Sequence, residues 1–332
     1  MEKIKKIFMI FLRIGISIAI LLFLFKQVDE KELVGFIRNS DKGLLWLAFI
    51  IFCLSYALCF MRWRMLLIAA GIHLSLKRVV ISFCGGIFFN LVLPSTIGGD
   101  MIRSIDLAAH TKRPREVVAT VLLDRLSGYV GLVALTVISL ALGWKLVNEP
   151  TVLLSVAVII TILAVILVVL FNQFVYNKIN KFLSKSSKSR IKEIIRNLHH
   201  EIYIFRNRKK TIVYNLLISF MVQTLTPLSF YFIAMALGIK INIMYFFVFL
   251  PIISAITMLP ISIGGLGLRD AATIFFFAKA GVSNHLAFAM SLLSFSFIVI
   301  CGAIGGLVYV LTVHHRRLQY NKPPVISTEP QK

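Results

Sequence analysis

Leu93-Pro94-Ser95-Thr96-Ile97-Gly98-Gly99-Asp100-Met101-Ile102-Arg103 and Leu259-Pro260-Ile261-Ser262-Ile263-Gly264-Gly265-Leu266-Gly267-Leu268-Arg269 align without a gap. Leu, Pro, Ile, Gly, Gly and Arg coincide at a constant offset of 166, half of the 332-residue chain. Each motif closes a short apolar stretch, 79–93 in one case and 244–259 in the other. Proline removes a backbone donor and restrains the residue before it, so the entering helix ends there. The glycine pair then permits a sharp reversal from which a second half-helix starts.

Around the motifs the chain is 58% hydrophobic and 15% charged, a balance that implies several membrane spans. Uninterrupted apolarity over about 20 residues marks six spans, at 7–25, 43–61, 117–143, 151–171, 211–237 and 286–312. The offset of 166 carries 43 onto 209 and 117 onto 283, so span, hairpin and span repeat together. Lys and Arg collect in 62–78 (Arg62, Arg64, Lys77, Arg78), in 172–210 and in the tail (Arg316, Arg317), which places these segments in the cytoplasm. Two full spans already separate each successive pair of basic segments. Each hairpin therefore enters and returns on one side, the first from the cytoplasm and the second from outside.

The expectation is an all-α integral membrane protein, a single membrane domain over 1–332. Repeat 1 covers 43–143 with a re-entrant hairpin at 79–115, and repeat 2 covers 211–312 with an oppositely oriented hairpin at 244–281. The halves are inverted across the membrane, an architecture of transporters. Within 172–210, Ile191, Ile194, Ile195, Leu198, Ile202 and Phe205 recur at helical spacing, the pattern of an interfacial helix. The alternative is a solvated basic loop. The tail is 313–332, and both termini face the cytoplasm of a plasma membrane.

A half-helix that starts inside a membrane presents free N–H groups and a positive dipole end. With Gly98, Gly99 and Arg103 from one motif and Gly264, Gly265 and Arg269 from the other, it makes an anion site suited to phosphate. The glycine pairs are expected to approach each other near the midplane. Asp100, Arg103 and Asp106 repeat at i, i+3, so Arg103 is alternatively neutralised within its own helix. Asp270 follows Arg269 directly and points about 100° away, which leaves Arg269 the freer charge. Asp124 and Arg125 lie within a span, where ionisable groups face a partner or a watery cavity. Asn90 precedes the first Pro, as a ligand contact or as a donor to the carbonyls freed by the break.

A formal charge of +22, from 36 Lys and Arg against 14 Asp and Glu, favours anionic lipid as partner. A nucleic-acid partner is disfavoured, because apolar spans separate the basic residues. Cys53, Cys59, Cys84 and Cys301 show no metal or disulfide spacing, and the His residues lack i, i+4 pairs. Neither a nucleophile elbow nor a P-loop occurs. No catalytic residue, metal or cofactor is assigned. Gly302-Ala303-Ile304-Gly305-Gly306 reads as close helix packing.

Asn90, Pro94, Gly98, Gly99, Asp100 and Arg103, the run Asp124-Arg125-Leu126-Ser127-Gly128, and the motif 259–269 resemble the flippase-like membrane family named after the transmembrane region of lysylphosphatidylglycerol synthase. The likeness covers nearly the whole chain. Members commonly carry Glu where Asp124 and Asp270 stand. The resemblance implies translocation of an anionic phospholipid or a polyprenyl-phosphate-linked lipid, alone or beside a separate lipid-modifying enzyme or glycosyltransferase. For the full synthases it implies phosphatidylglycerol lysyltransferase activity in a C-terminal soluble domain. About 20 residues follow the last span here, so that activity is not carried over. The alternatives are a membrane component of a lipid-modifying transferase and a small-anion carrier.

Overall fold

The computed structural model describes residues 30–93, 98–144, 150–171, 208–257 and 265–320, and the described residues are helical with no strand. The expected first span, the interfacial helix in 172–207, Pro94, Pro260 and Gly264 lie outside them. The helices are α1 (Glu30–Asn39), α2 (Lys42–Ala69), α3 (Leu76–Val92), α4 (Gly98–Thr111), α5 (Pro114–Leu142), α6 (Pro150–Phe171), α7 (Lys209–Ala236), α8 (Ile243–Thr257), α9 (Leu268–Ala278) and α10 (Asn284–Tyr320). Among the described residues four segments are long and apolar enough to cross a membrane: α2, α5, α7 and Asn284–Thr312 of α10. Each has 28 or 29 residues, about 42 Å of helix at 1.5 Å per residue, which exceeds a hydrocarbon core of about 30 Å. α6 is a further apolar helix of 22 residues.

The two halves repeat in local detail. Asp41 starts α2, its carboxylate accepting the Gly43 and Leu44 N–H groups at 2.8 and 3.2 Å. α2 ends at Gly71 (φ +74°), with Gly71 N–H on Ile68 O and Ile72 N–H on Leu67 O. α7 ends the same way at Gly238 (φ +78°), with Gly238 N–H on Met235 O and Ile239 N–H on Ala234 O. Both are left-handed helix stops that glycine adopts without strain.

α3 and α4 form an antiparallel pair, as do α8 and α9. Ser82 donates to Arg103 O at 3.1 Å while Asn90 meets Gly99, and Phe246 and Phe249 meet Phe277 at ring distances of 5.0 and 5.5 Å while Thr257 meets Gly265. The long helices α2 and α7, equivalent in the repeat, also run antiparallel: Ser229 donates to Ala48 O at 2.8 Å, and Asn215 donates to Arg62 O at 3.4 Å. α3 packs on α10 of the other half, and reciprocally α8 packs on α5.

Glycines set the closest approaches. A Cβ on Gly99 would lie 1.9 Å from Gly86 O, so only glycine lets α4 cross α3 there. The expected packing role of 302–306 is what the structure shows: a Cβ on Gly305 would lie 2.9 Å from Cys84 O and one on Gly306 2.4 Å from the Phe88 ring, both on α3. Apolar packing is heaviest in the second half, where Phe246, Phe249, Phe276 and Phe277 are buried together with Ile252 and Met290. Around α4 the apolar core is smaller, with Trp63, Leu67, Val79, Leu107, Val117 and Val121, and the remaining interior is polar.

One expectation about the motifs is corrected. The first returning helix starts at the glycine pair, with Gly98. The second starts later, at Leu268, because Gly265 (φ +78°) and Gly267 (φ +77°) both take left-handed conformations that interrupt a helix. Arg103 is therefore more than a turn inside its helix, whereas Arg269 is in the first turn.

Candidate functional site

Five ionisable side chains from α2, α4 and α5 form one buried network. Asp124 accepts from Arg62 Nε at 2.7 Å and from Arg103 Nη2 at 3.1 Å. Arg103 Nε lies 2.8 Å from Asp100 Oδ1, and the other Asp100 oxygen is paired with Arg125 Nε. Arg103 lies 4.6 Å from the Trp63 ring centroid, a cation–π contact, and Arg125 Nη1 donates to Tyr129 Oη at 3.3 Å. Arg62 reaches the second half by donating to Ser219 Oγ at 3.0 Å. Arg62, Arg103 and Asp124 are 5–6% exposed. Among the described residues, three guanidiniums and two carboxylates are joined in this network.

Asn90 bonds the backbone, but an N–H rather than the carbonyls freed by the break. It accepts the Gly99 N–H at 2.9 Å, capping α4 across the break and anchoring the helix that carries Asp100 and Arg103. Gly98 is packed on Leu93 and Gly99 on Gly86 and Asn90. The N-terminus of α4 is in this way engaged within its own hairpin.

The second motif differs from expectation. Arg269 and Asp270 do pair, Nη2 to Oδ1 at 2.9 Å, because Arg269 folds back at the helix start instead of projecting one turn in. Asp270 also accepts the Gly267 N–H at 3.0 Å and the Ser291 hydroxyl at 2.5 Å, and Arg269 Nε donates to Ser291 Oγ at 3.2 Å. The Asp270 carboxylate thus occupies the positive end of α9. Ser291 stands 167 residues after Asp124 and contacts Arg269 as Asp124 contacts Arg103.

Tyr56, Ile87, Asn90, Leu91, Leu266, Phe295 and Ile298 line a cavity of about 210 Å³, to which α2, α3 and α10 contribute together with Leu266 of the second motif. Asn90 links it to the α4 network, and Phe295 lies beneath the Arg269 guanidinium at 4.8 Å from its ring centroid. No group of three or more His, Cys, Asp or Glu suited to a metal occurs among the described residues.

Sequence reasoning missed Arg62, read as a cytoplasmic loop residue although the apolar run continues past it to Ala70. It is a buried residue of α2. Arg78, also counted as a loop charge, is buried against Asp106 at 2.5 Å with His110 Nδ1 at 2.7 Å. Asn215 and Ser219 repeat at i, i+4 on α7, a polar stripe in an apolar span and a signal that was there to find.

Apolar helices of spanning length around an interior that gathers Arg and Asp define a multi-pass membrane protein. The chain belongs to the family described as the lysylphosphatidylglycerol synthase TM region, which matches residues 10–306. It is 24% identical to the UPF0104 membrane protein PH1989 of Pyrococcus horikoshii, over 85% of this chain and 91% of the relative. Two UPF0104 membrane proteins of Methanothermobacter thermautotrophicus are 24% and 22% identical, over 79% and 78% of this chain and 83% and 80% of the relatives.

Proposed function

We propose that this protein binds the headgroup of an anionic phospholipid, or of a polyprenyl-phosphate-linked lipid, and helps it cross the bilayer. The observation that carries this reading is the cavity between the two halves, whose Asn90 bonds Gly99 beside a buried network that gathers Arg62, Arg103 and Arg125 from three helices. At about 210 Å³ the cavity is below the roughly 300–1,000 Å³ of sites that enclose whole drug-sized ligands, so it takes a headgroup rather than an entire lipid. Arg103 and Arg125 attract the phosphate from one half and Arg269 from the other.

The antiparallel course of α2 and α7 and the reciprocal packing of α3 on α10 and α8 on α5 support an inverted repeat with two opposed re-entrant hairpins. In this arrangement the site is reached alternately from the two sides of a plasma membrane, with both termini in the cytoplasm. A separate lipid-modifying enzyme or glycosyltransferase supplies or consumes the translocated lipid.

The test is translocation of fluorescent phosphatidylglycerol in proteoliposomes. Arg103→Gln and Arg269→Gln each remove a charge-assisted contact worth about 1.5–3 kcal/mol, a tenfold to hundredfold loss of affinity. Lys at either position restores part of the activity, since it supplies charge without the planar fork. Wild-type translocation by both Gln variants, with melting as a control for folding, overturns the assignment.

A further inference from the structure

α2 and α10 form one wall of the cavity. Tyr56 on α2 and Ile298 on α10 line it, and one helical turn from each stand Cys53 and Cys301, whose Sγ atoms are 3.9 Å apart. Phe297 closes the same seam against Phe49 and Phe52 at ring distances of 5.1 and 5.8 Å. The next residues outward, Ile50 and Leu54 on α2 and Ile300 and Ile304 on α10, are 44–60% exposed and form a surface suited to acyl chains.

The walls on either side of α3 are built differently. Gly99 lies against Gly86 O between α4 and α3, and Gly305 against Cys84 O between α10 and α3, backbone contacts with no room for a methyl group, while Gly302 and Gly306 meet the Leu91 and Phe88 side chains. The α2–α10 seam is closed by side chains alone, two thiols and three aromatic rings. Side chains can change rotamer where backbone contacts cannot yield without moving a helix.

We propose that the α2–α10 seam is a lateral gate: it parts to admit the headgroup to the cavity while the acyl chains stay outside in the bilayer. Each gate cycle separates Cys53 from Cys301. This proposal rests on the lipid-translocation reading and adds the route of entry. A cavity of about 210 Å³ cannot hold two acyl chains, so they must pass through a wall, and this one is apolar on both its surfaces.

The native cysteines provide the test. A disulfide needs an S–S distance of about 2.05 Å, so a closure of about 2 Å joins them. Full-length protein carrying Cys59→Ser and Cys84→Ser is reconstituted in phosphatidylglycerol and phosphatidylethanolamine vesicles and treated with the membrane-permeant diazene diamide. The two thiols give up two electrons and two protons, reducing the diazene to its hydrazine as one S–S bond forms. Bond formation is read by mass spectrometry after alkylation, and translocation by a fluorescent phosphatidylglycerol probe.

Oxidation is expected to reduce translocation at least tenfold and dithiothreitol to restore it, while a variant that also carries Cys53→Ser ignores diamide. A disulfide that forms and leaves translocation unchanged overturns the gate and leaves the lipid-translocation reading standing. Thiols that do not join under diamide also overturn it, since the helices then fail to meet at the seam. Absence of translocation by the reduced wild-type protein removes the parent reading instead.

Discussion

Replacing Asp124 by Asn tests whether the polar network is a buried ionic structure. The Asp124 carboxylate is approached by Arg62 Nε at 2.7 Å and Arg103 Nη2 at 3.1 Å, and the three side chains are 6–8% exposed. Asn conserves the shape, but it withdraws the negative charge and turns an amide donor toward a guanidinium. Arg103 keeps Asp100, whereas Arg62 keeps only the neutral Ser219 hydroxyl among its side-chain contacts described above. Removing one member of a buried ion pair costs about 3–5 kcal/mol, two to three and a half powers of ten in the folding equilibrium. The assay is thermal unfolding in detergent, followed by reaction of the four half-buried cysteines with a thiol-specific fluorophore. Asp124→Asn should melt well below the wild type, and Asp124→Glu, which keeps the charge, should fall between them. Adding Arg62→Met to the Asn variant should recover part of the loss by removing the stranded cation. An Asn variant that melts with the wild type would mean that water solvates these charges and that the network is not buried.

Gly99→Ala places a methyl group 1.9 Å from Gly86 O, a backbone atom, so the variant should lose about 3 kcal/mol or more and show a lower melting temperature in the same assay. Lys112 ends α4 with φ +56° where Gly281 follows α9 with φ +79°; Lys112→Gly should raise stability by up to about 1 kcal/mol, a gain that melting or chemical denaturation would show. In intact cells a Cys at Asn148 should react with an impermeant reagent and one at Ser187 should not; the reverse result removes the cytoplasmic assignment of 172–210 and the inverted repeat with it.

The hydrophobic runs made the long helices readable, because a span needs little more than length and apolarity. α2, α5, α7 and α10 all occur where apolarity places them. The likeness between the halves is wider than the motif from which it was read. Gly71-Ile72-His73-Leu74-Ser75-Leu76 and Gly238-Ile239-Lys240-Ile241-Asn242-Ile243 share the pattern of a glycine helix stop, an apolar residue that bonds back into the last turn, and a polar residue before the next helix. The helix ends were less readable, because hydropathy does not report where a buried charge finds its partner. α2 continues eight residues past the expected limit of 61, carrying Arg62 into the interior, and only the position of Asp124 on another helix explains why that is tolerated.

The same limit explains why a symmetric motif gave an asymmetric site. Arg103 and Arg269 are equivalent in sequence, and each meets a residue of the next long helix, Asp124 or Ser291, although at the offset of 166 Ser291 falls opposite Arg125 and Met290 opposite Asp124. A serine cannot balance a guanidinium, so in the second half the carboxylate comes from Asp270 in the first turn of α9. The two glycines at positive φ delay that helix until Asp270 stands at its third position, where its carboxylate accepts the Gly267 N–H and also reaches Arg269. The second motif is thereby closed on itself, with one cation and one anion, while Arg103 of the first motif is tied to carboxylates on two helices. Under the proposed reading an anion in the cavity competes with Asp270 for Arg269, just as it competes with Asp100 and Asp124 for Arg103.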